Sequence, residues 1–289
     1  MCPANHIQKA TVPFILSLLK VSQEELRAQG LEAQELADIY NDYSPRLDEL
    51  EDIGLFLSRA LKQLRSAHAV CYRVKEPLHL LKKIIRKKKE YPNRHLTSQN
   101  YLSFINDLVG VRILHLNKRD CHAIGHYIQQ HWELKRAPYA YVSSSHSAEA
   151  RQFAADKYKV LVKDKGYRAQ HYILRIKPNR QQYLVEVQVK TLFEEGWSEI
   201  DHCIRYPDHE PNELLNRLLA ILNQLTSNAD VVATQIQALA NELQKYKQSS
   251  PAAPEVSASR LRGHIEALPV DEQEKQYLYA CLATLTEGK

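Results

Sequence analysis

Apolar positions over residues 33–65 recur at steps of three and four, with Leu50, Ile53, Leu57, Leu61 and Leu64 separated by acids and bases. That period predicts one-faced helices, and Pro45 divides the stretch into two. The pattern then changes. Ala69–Val74 reads as a strand, and Pro77, placed where a helix tolerates proline, opens a basic helix carrying Lys82, Lys83, Arg86, Lys87, Lys88 and Lys89. Further strands are expected over 107–116, 172–176 and 183–189, the last two closed into a hairpin by the turn Lys177, Pro178, Asn179, Arg180. Residues 120–132 read as helix and 143–149 as loop.

After Thr191 the helical period returns through Tyr206, and Pro211 opens a long helix striped by Leu214, Leu218, Ile221, Leu225, Val232, Ile236, Leu239 and Leu243. Such a stripe packs on its parent domain or on a partner helix, and the parent domain is the commoner use. Residues 249–259 are rich in Pro, Ala and Ser, as in a linker, and the tail after them is too short for a core of its own. It must dock. The division expected is N-terminal helices over 1–67, a strand-containing domain over 68–210, the long helix over 211–247, a linker over 248–259 and a helical tail over 260–289. The apolar run 13–19 is followed by Lys20 instead of a small-residue cleavage site, so an amphipathic helix is expected there and no export signal. No run is long enough to span a bilayer.

Composition narrows the function. Apolar residues at 44% and charged residues at 25% of 289 describe a folded globular chain, with neither disordered nor membrane character. A net charge of +5 favours polyanionic ligands. Cys2, Cys71, Cys121, Cys203 and Cys281 are odd in number and lack C-x-x-C spacing, which fits a reducing, cytoplasmic setting and neither a disulfide framework nor a zinc knuckle. With 8 glycines and no phosphate-cradling glycine motif, phosphates must be held by side chains.

Four segments carry chemistry. Arg73 and Lys75 end a strand, and His79 and Lys83 follow at helical spacing, so cations converge at a helix N-terminus where a triphosphate would sit. Asp107 precedes a strand containing Gly110 and Arg112. Gly166 allows a tight turn before Tyr167, a ring able to stack on a base, and His171 follows. Glu186, Gln188 and Lys190 alternate with valines and share one face of a strand. Two acids on separate strands, a cationic cluster and a stacking ring suit metal-assisted phosphoryl transfer, in which carboxylates hold magnesium.

In order and spacing, RVKEPLHLLKK (73–83), DLVGVR (107–112), GYRAQHY (166–172), EVQVKT (186–191) and WSEIDH (197–202) resemble the synthetase domain of RelA/SpoT-type alarmone synthetases. The resemblance implies an α+β fold, a mixed β-sheet flanked by helices as in nucleotidyltransferases, with helical additions at both ends. It implies transfer of pyrophosphate from ATP to the 3′-hydroxyl of GDP or GTP with Mg²⁺ as cofactor. Arg73, Lys75, His79, Lys83 and Arg112 are then ATP-binding. Asp107 and Glu186 are catalytic and metal-holding, and Tyr167, His171, Gln188, Lys190 and His202 bind the acceptor. The chain carries His79, Ala169, Lys190 and Asp201 where that family commonly has Ser, Ser, Arg and Glu. No hydrolase metal motif precedes Arg73, so a stand-alone small synthetase is expected. The alternatives are a toxin-type enzyme that pyrophosphorylates the tRNA 3′ end and a non-catalytic RNA-binding or regulatory module of the same fold. A homo-oligomer through the C-terminal helices is the further partner considered; no membrane partner is expected.

Overall fold

The computed structural model describes residues 9–163, 166–205, 212–248 and 254–287. The helical period of the first third gives α1 (Val12–Leu19), α2 (Gln23–Ala28), α3 (Ala33–Tyr43) and α4 (Leu47–Leu61), with a 3-10 turn at Pro45 between the last two. In α1, Ile15 and Leu19 are buried, so this run is a packed amphipathic helix. Next come β1 (Ala69–Val74), the basic helix α5 (Pro77–Glu90), the short α6 (Tyr101–Phe104), β2 (Val109–His115) and α7 (Asp120–His131). Then follow β3 (Tyr139–Val142), α8 (Ala148–Ala155), β4 (Lys159–Val162), β5 (Ala169–Ile176), β6 (Tyr183–Thr191) and α9 (Leu192–Arg205). The chain ends in α10 (Glu213–Gln248), α11 (Pro254–Glu266) and α12 (Glu272–Glu287).

Six strands form one mixed sheet in the order β1-β2-β6-β5-β3-β4. β2 runs parallel to β6 and β3 to β4, whereas the other neighbours are antiparallel. Alternation along the strands sends Val109, Val111, Ile113, Tyr172, Val185, Val187 and Val189 to one face, all buried in a core shared with Leu57 and Leu61 of α4, Leu80 and Ile84 of α5, and Ile124 and Ile128 of α7. Each such side chain contributes roughly 1.5–3 kcal/mol by leaving water. The opposite face carries the polar residues in register. Arg73, Gly110 and Glu186 form one row, and Cys71, Arg112, Gln188 and His171 the next.

Three expectations change. Residues 139–142 and 159–162 are strands, too short for a periodic signal, and helix α8 follows its cap Ser147 inside the segment read as loop. Within the segment read as a linker, residues 254–259 belong to α11; Tyr206, Pro211 and 249–253 lie outside the described residues. The stripe of α10 does not face the domain over its first half. Leu214, Leu218, Ile221 and Leu225 are more than half exposed, while Leu219, Asn223, Asp230 and Thr234 are buried, because the surface beneath α10 is itself polar and takes polar partners. Farther on, Leu239 and Leu243 pack against Leu261, Ile265 and Leu282, so the tail folds back on its own chain.

Candidate functional site

The cleft lies on the polar face, where β1 feeds α5. Arg73, Lys75, Glu76, His79, Lys82, Lys83, Arg86, Asp107 and His202 line a cavity of about 620 Å³. A second hollow of about 200 Å³ adjoins it and is lined by Arg73, Asp107, Gly110, Arg112, Glu186 and Gln188. Arg73 and Asp107 are common to both. Lys75 is fixed from behind, since its N–H donates to the Leu108 carbonyl at 2.8 Å and its own carbonyl accepts from the Tyr43 hydroxyl at 2.6 Å.

Asp107 stands between two ammonium groups, Lys75 at 3.1 Å and Lys83 at 2.7 Å. Burial pushes the Lys75 ammonium below its ordinary range, against the pull of Asp107. Glu186 accepts from the Gln188 amide at 2.8 Å, and His171 Nδ1 lies 3.4 Å away. Burial opposes its ionisation, but His171, Gln188 and the Lys83 charge outweigh burial and hold the carboxyl at about 2. The two carboxylates line one hollow and offer hard oxygen ligands, which suits Mg²⁺ completing its shell with phosphate oxygens and water. Among the described residues no three His, Cys, Asp or Glu gather into a metal site of their own.

Aromatic rings close the other side. The Tyr167 hydroxyl bonds His171 Nε2 at 2.8 Å, so the tyrosine, the histidine and Glu186 form one chain. Tyr141 meets Tyr167 and His171 edge-on, with centroids 5.5 and 4.9 Å away. Lys163 and Lys190 lie over the Tyr167 ring at 4.6 and 5.0 Å. Burial, with the Glu186 charge adding to it, pushes the Tyr167 phenol well above its ordinary range, so it stays neutral.

Helix α9 roofs this arrangement. It leaves the end of β6 and returns across the polar face, placing Glu195 and Glu199 against Arg112 at 2.6 and 2.5 Å and Glu195 against Lys190 at 3.0 Å. His202, one turn on, lines the cationic cavity. His202, expected on the acceptor side, lines the same cavity as Arg73 and Lys83, where the return of α9 carries it. Arg112, expected with the ATP-binding residues, shares the adjoining hollow with Arg73, its guanidinium held by two glutamates. Arg73, Lys75, His79 and Lys83 come together, as do Tyr167, His171, Gln188 and Lys190. Glu195, Glu199, Tyr141 and Lys163 went unnoticed in the sequence; the spacing of 195, 199 and 202 along one helix face was the available signal.

Residues 72–211 match the family model described as the region found in RelA/SpoT proteins. No curated protein is a significant match. Among solved structures, small alarmone synthetase 1 from Bacillus subtilis is similar at 17% identity and a TM-score of 0.50, over 69% of this chain and 98% of that one. A GTP pyrophosphokinase family protein from Streptococcus pneumoniae is similar at 16% identity and a TM-score of 0.52, over 72% of this chain and 95% of that one. Residues 72–211 are thus a RelA/SpoT-type domain, and the described chain shares the small alarmone synthetase fold.

Proposed function

We propose that the chain transfers the pyrophosphoryl group of ATP to the ribose 3′-hydroxyl of GDP or GTP. The observation that carries this reading is the placement of Asp107 and Glu186 in the hollow between a cationic cavity and an aromatic cage. Arg73, Lys75, His79 and Lys83 would bind the triphosphate, Lys75 and Lys83 exchanging Asp107 for phosphate oxygens. Mg²⁺ held by Asp107 and Glu186 would neutralise charge developing on the phosphates. Tyr167 would stack on the guanine while His171 keeps the ring and Glu186 in register. The 3′-oxygen then forms a bond to the β-phosphorus as the bond from that phosphorus to the α-bridging oxygen breaks, AMP departs, and the hydroxyl proton leaves to solvent or a phosphate. With its carboxyl at about 2, Glu186 is a poor proton acceptor, and its environment suits orienting the hydroxyl and holding the cation.

A second reading keeps the chemistry and takes the tRNA 3′ end as acceptor. It is supported by the aromatic row extending from Tyr167 through Tyr141 to Tyr139, with Arg136 3.4 Å from the Tyr139 ring centroid and Lys163 over Tyr141. Successive rings with cations beside them suit successive bases of a single strand. Purified protein incubated with ATP and Mg²⁺ and, in parallel, GDP, GTP or bulk tRNA separates the readings. Pyrophosphorylated GDP or GTP is the expected product; label on tRNA alone supports the second reading, and no product with any acceptor removes both. The proposal includes a cytoplasmic setting, supported by the free thiols of Cys71, Cys121, Cys203 and Cys281. It also includes assembly through the C-terminal helices, supported by the exposed row Leu214, Leu218, Ile221 and Leu225. Among the described residues no helix is long and apolar enough to cross a membrane.

A further inference from the structure

We propose that Asn223, on α10 and outside the matched domain, is a positioning residue for the Tyr167 ring, acting through Gly166 and Arg168. The inference rests on the reading of Tyr167 as the ring that stacks on the acceptor base.

Both neighbours of Tyr167 are held from α10. Gly166 turns with φ +72, and its carbonyl accepts from Asn223 Nδ2 at 3.1 Å and from Arg168 Nη1 at 3.2 Å. Asn223 Oδ1 in turn accepts from Arg168 Nη1 at 2.6 Å. The Arg168 Nε donates to Glu194 at 3.2 Å, and Glu194 and Thr191 bond each other's backbone N–H at the start of α9. Thr191 then donates from its hydroxyl to Asp230 on α10 at 3.0 Å. Asn223, Arg168, Glu194, Thr191 and Asp230 are all buried, so water does not substitute for these bonds.

The consequence falls on one side chain. A tyrosine ring swings with its Cα–Cβ direction, and here the peptide unit leading into Tyr167 is held at the Gly166 carbonyl by Asn223 from beyond the domain and by the Arg168 guanidinium, which Asn223 and Glu194 fix in turn. The fit is close: a methyl on Gly166 would stand 3.0 Å from Asn223 Oδ1, at a backbone angle that side chains rarely adopt. Asn223 touches neither cavity and is absent from their linings, so its effect must pass through the turn.

The test is Asn223→Ala with three readouts on the full chain. Acceptor kcat/KM is expected to fall about tenfold, the scale of a misplaced reactant, while the KM for ATP stays within about twofold. Amide exchange at Tyr167 and Arg168, measured without nucleotide, is expected to quicken. In the double variant with Tyr167→Ala, the Asn223 substitution is expected to add nothing further, because its effect runs through that ring. Equal losses for ATP and acceptor, unchanged amide exchange, or full additivity with Tyr167→Ala would overturn the proposal. If Tyr167→Ala leaves the acceptor KM unmoved, the stacking reading fails by itself, and amide exchange still decides whether Asn223 holds the turn. Should thermal unfolding show that Asn223→Ala undocks α10, Asn223→Asp carries the test, since it keeps an acceptor for Arg168, now charged, and replaces the donor to the Gly166 carbonyl with an oxygen that repels it. It is then expected to reproduce the acceptor-specific loss, and wild-type acceptor kinetics in it would overturn the proposal.

Discussion

Asp107 and Glu186 carry the same charge in different settings. Asp107 is balanced by two ammonium groups, whereas Glu186 is held by the His171 ring and the Gln188 amide, which turn its oxygens toward the hollow. Asp107→Asn and Glu186→Gln are expected to cut turnover by about 10² or more, the scale of losing one preorganised electrostatic partner, and Glu186→Gln also to lower stability at neutral pH, since a carboxyl held at about 2 favours the folded state when ionised. Turnover within tenfold of wild type in both variants would remove the site assignment. For Tyr167→Ala the expected loss is about 1–3 kcal/mol in acceptor binding, read as a rise in the acceptor KM without a matching rise for ATP. Equal rises would make the ring structural. The cations of this site were legible because Arg73, Lys75, His79 and Lys83 fall within one strand-to-helix junction of the sequence. Glu195 and Glu199 were not, since their meeting with Arg112 depends on the path of α9 across the sheet, which no local pattern encodes.

At the scale of elements, alternation and period located β1, α5, β2, α7 and the β5–β6 hairpin, because each has one apolar face over five residues or more. The four-residue strands β3 and β4 gave no comparable signal. The long helix misled for another reason: over its first half the most regular apolar stripe is not the face it buries, since Asn223 and Asp230 answer polar groups at the end of the sheet. A close approach between elements gives the next prediction. Gly125 of α7 lies over the paired hydroxyls of Tyr158 and Tyr172, and an added methyl would come within 2.3 Å of one and 2.4 Å of the other. Alanine gains up to about 1 kcal/mol in helix propensity, but displacing two buried, mutually bonded rings costs more. Gly125→Ala is therefore expected to lose about 1–3 kcal/mol in urea unfolding with an unchanged slope. A variant as stable as wild type would show that α7 shifts freely on the sheet.

For the whole molecule, the additions beyond the matched domain are parts of one structure with it. Tyr43 of α3 holds the Lys75 carbonyl, and α10 lays Asn223 and Asp230 on the far end of the sheet. Asp230 is fully buried; Thr191 donates to one carboxyl oxygen and the other has no hydrogen-bond partner. Burial, with the nearby Glu194 charge adding to it, pushes its carboxyl up to about 6, although Thr191, Lys118 and Arg168 pull the other way. A carboxyl raised in the folded state binds its proton more tightly there than in the unfolded chain. Its contribution is therefore most favourable below the ordinary value of 3.8 and is lost as pH rises through about 6. Asp230→Asn keeps an oxygen for the Thr191 hydroxyl and removes the charge. The variant is expected to match wild type near pH 4 and to exceed it at pH 8 by up to about 3 kcal/mol, the free energy of a two-unit displacement. Urea unfolding of both proteins at the two pH values measures it. A variant less stable than wild type at pH 8 would mean that ionised Asp230 holds Arg168 and Lys118, and that α10 is fastened to the domain by charge rather than in spite of it.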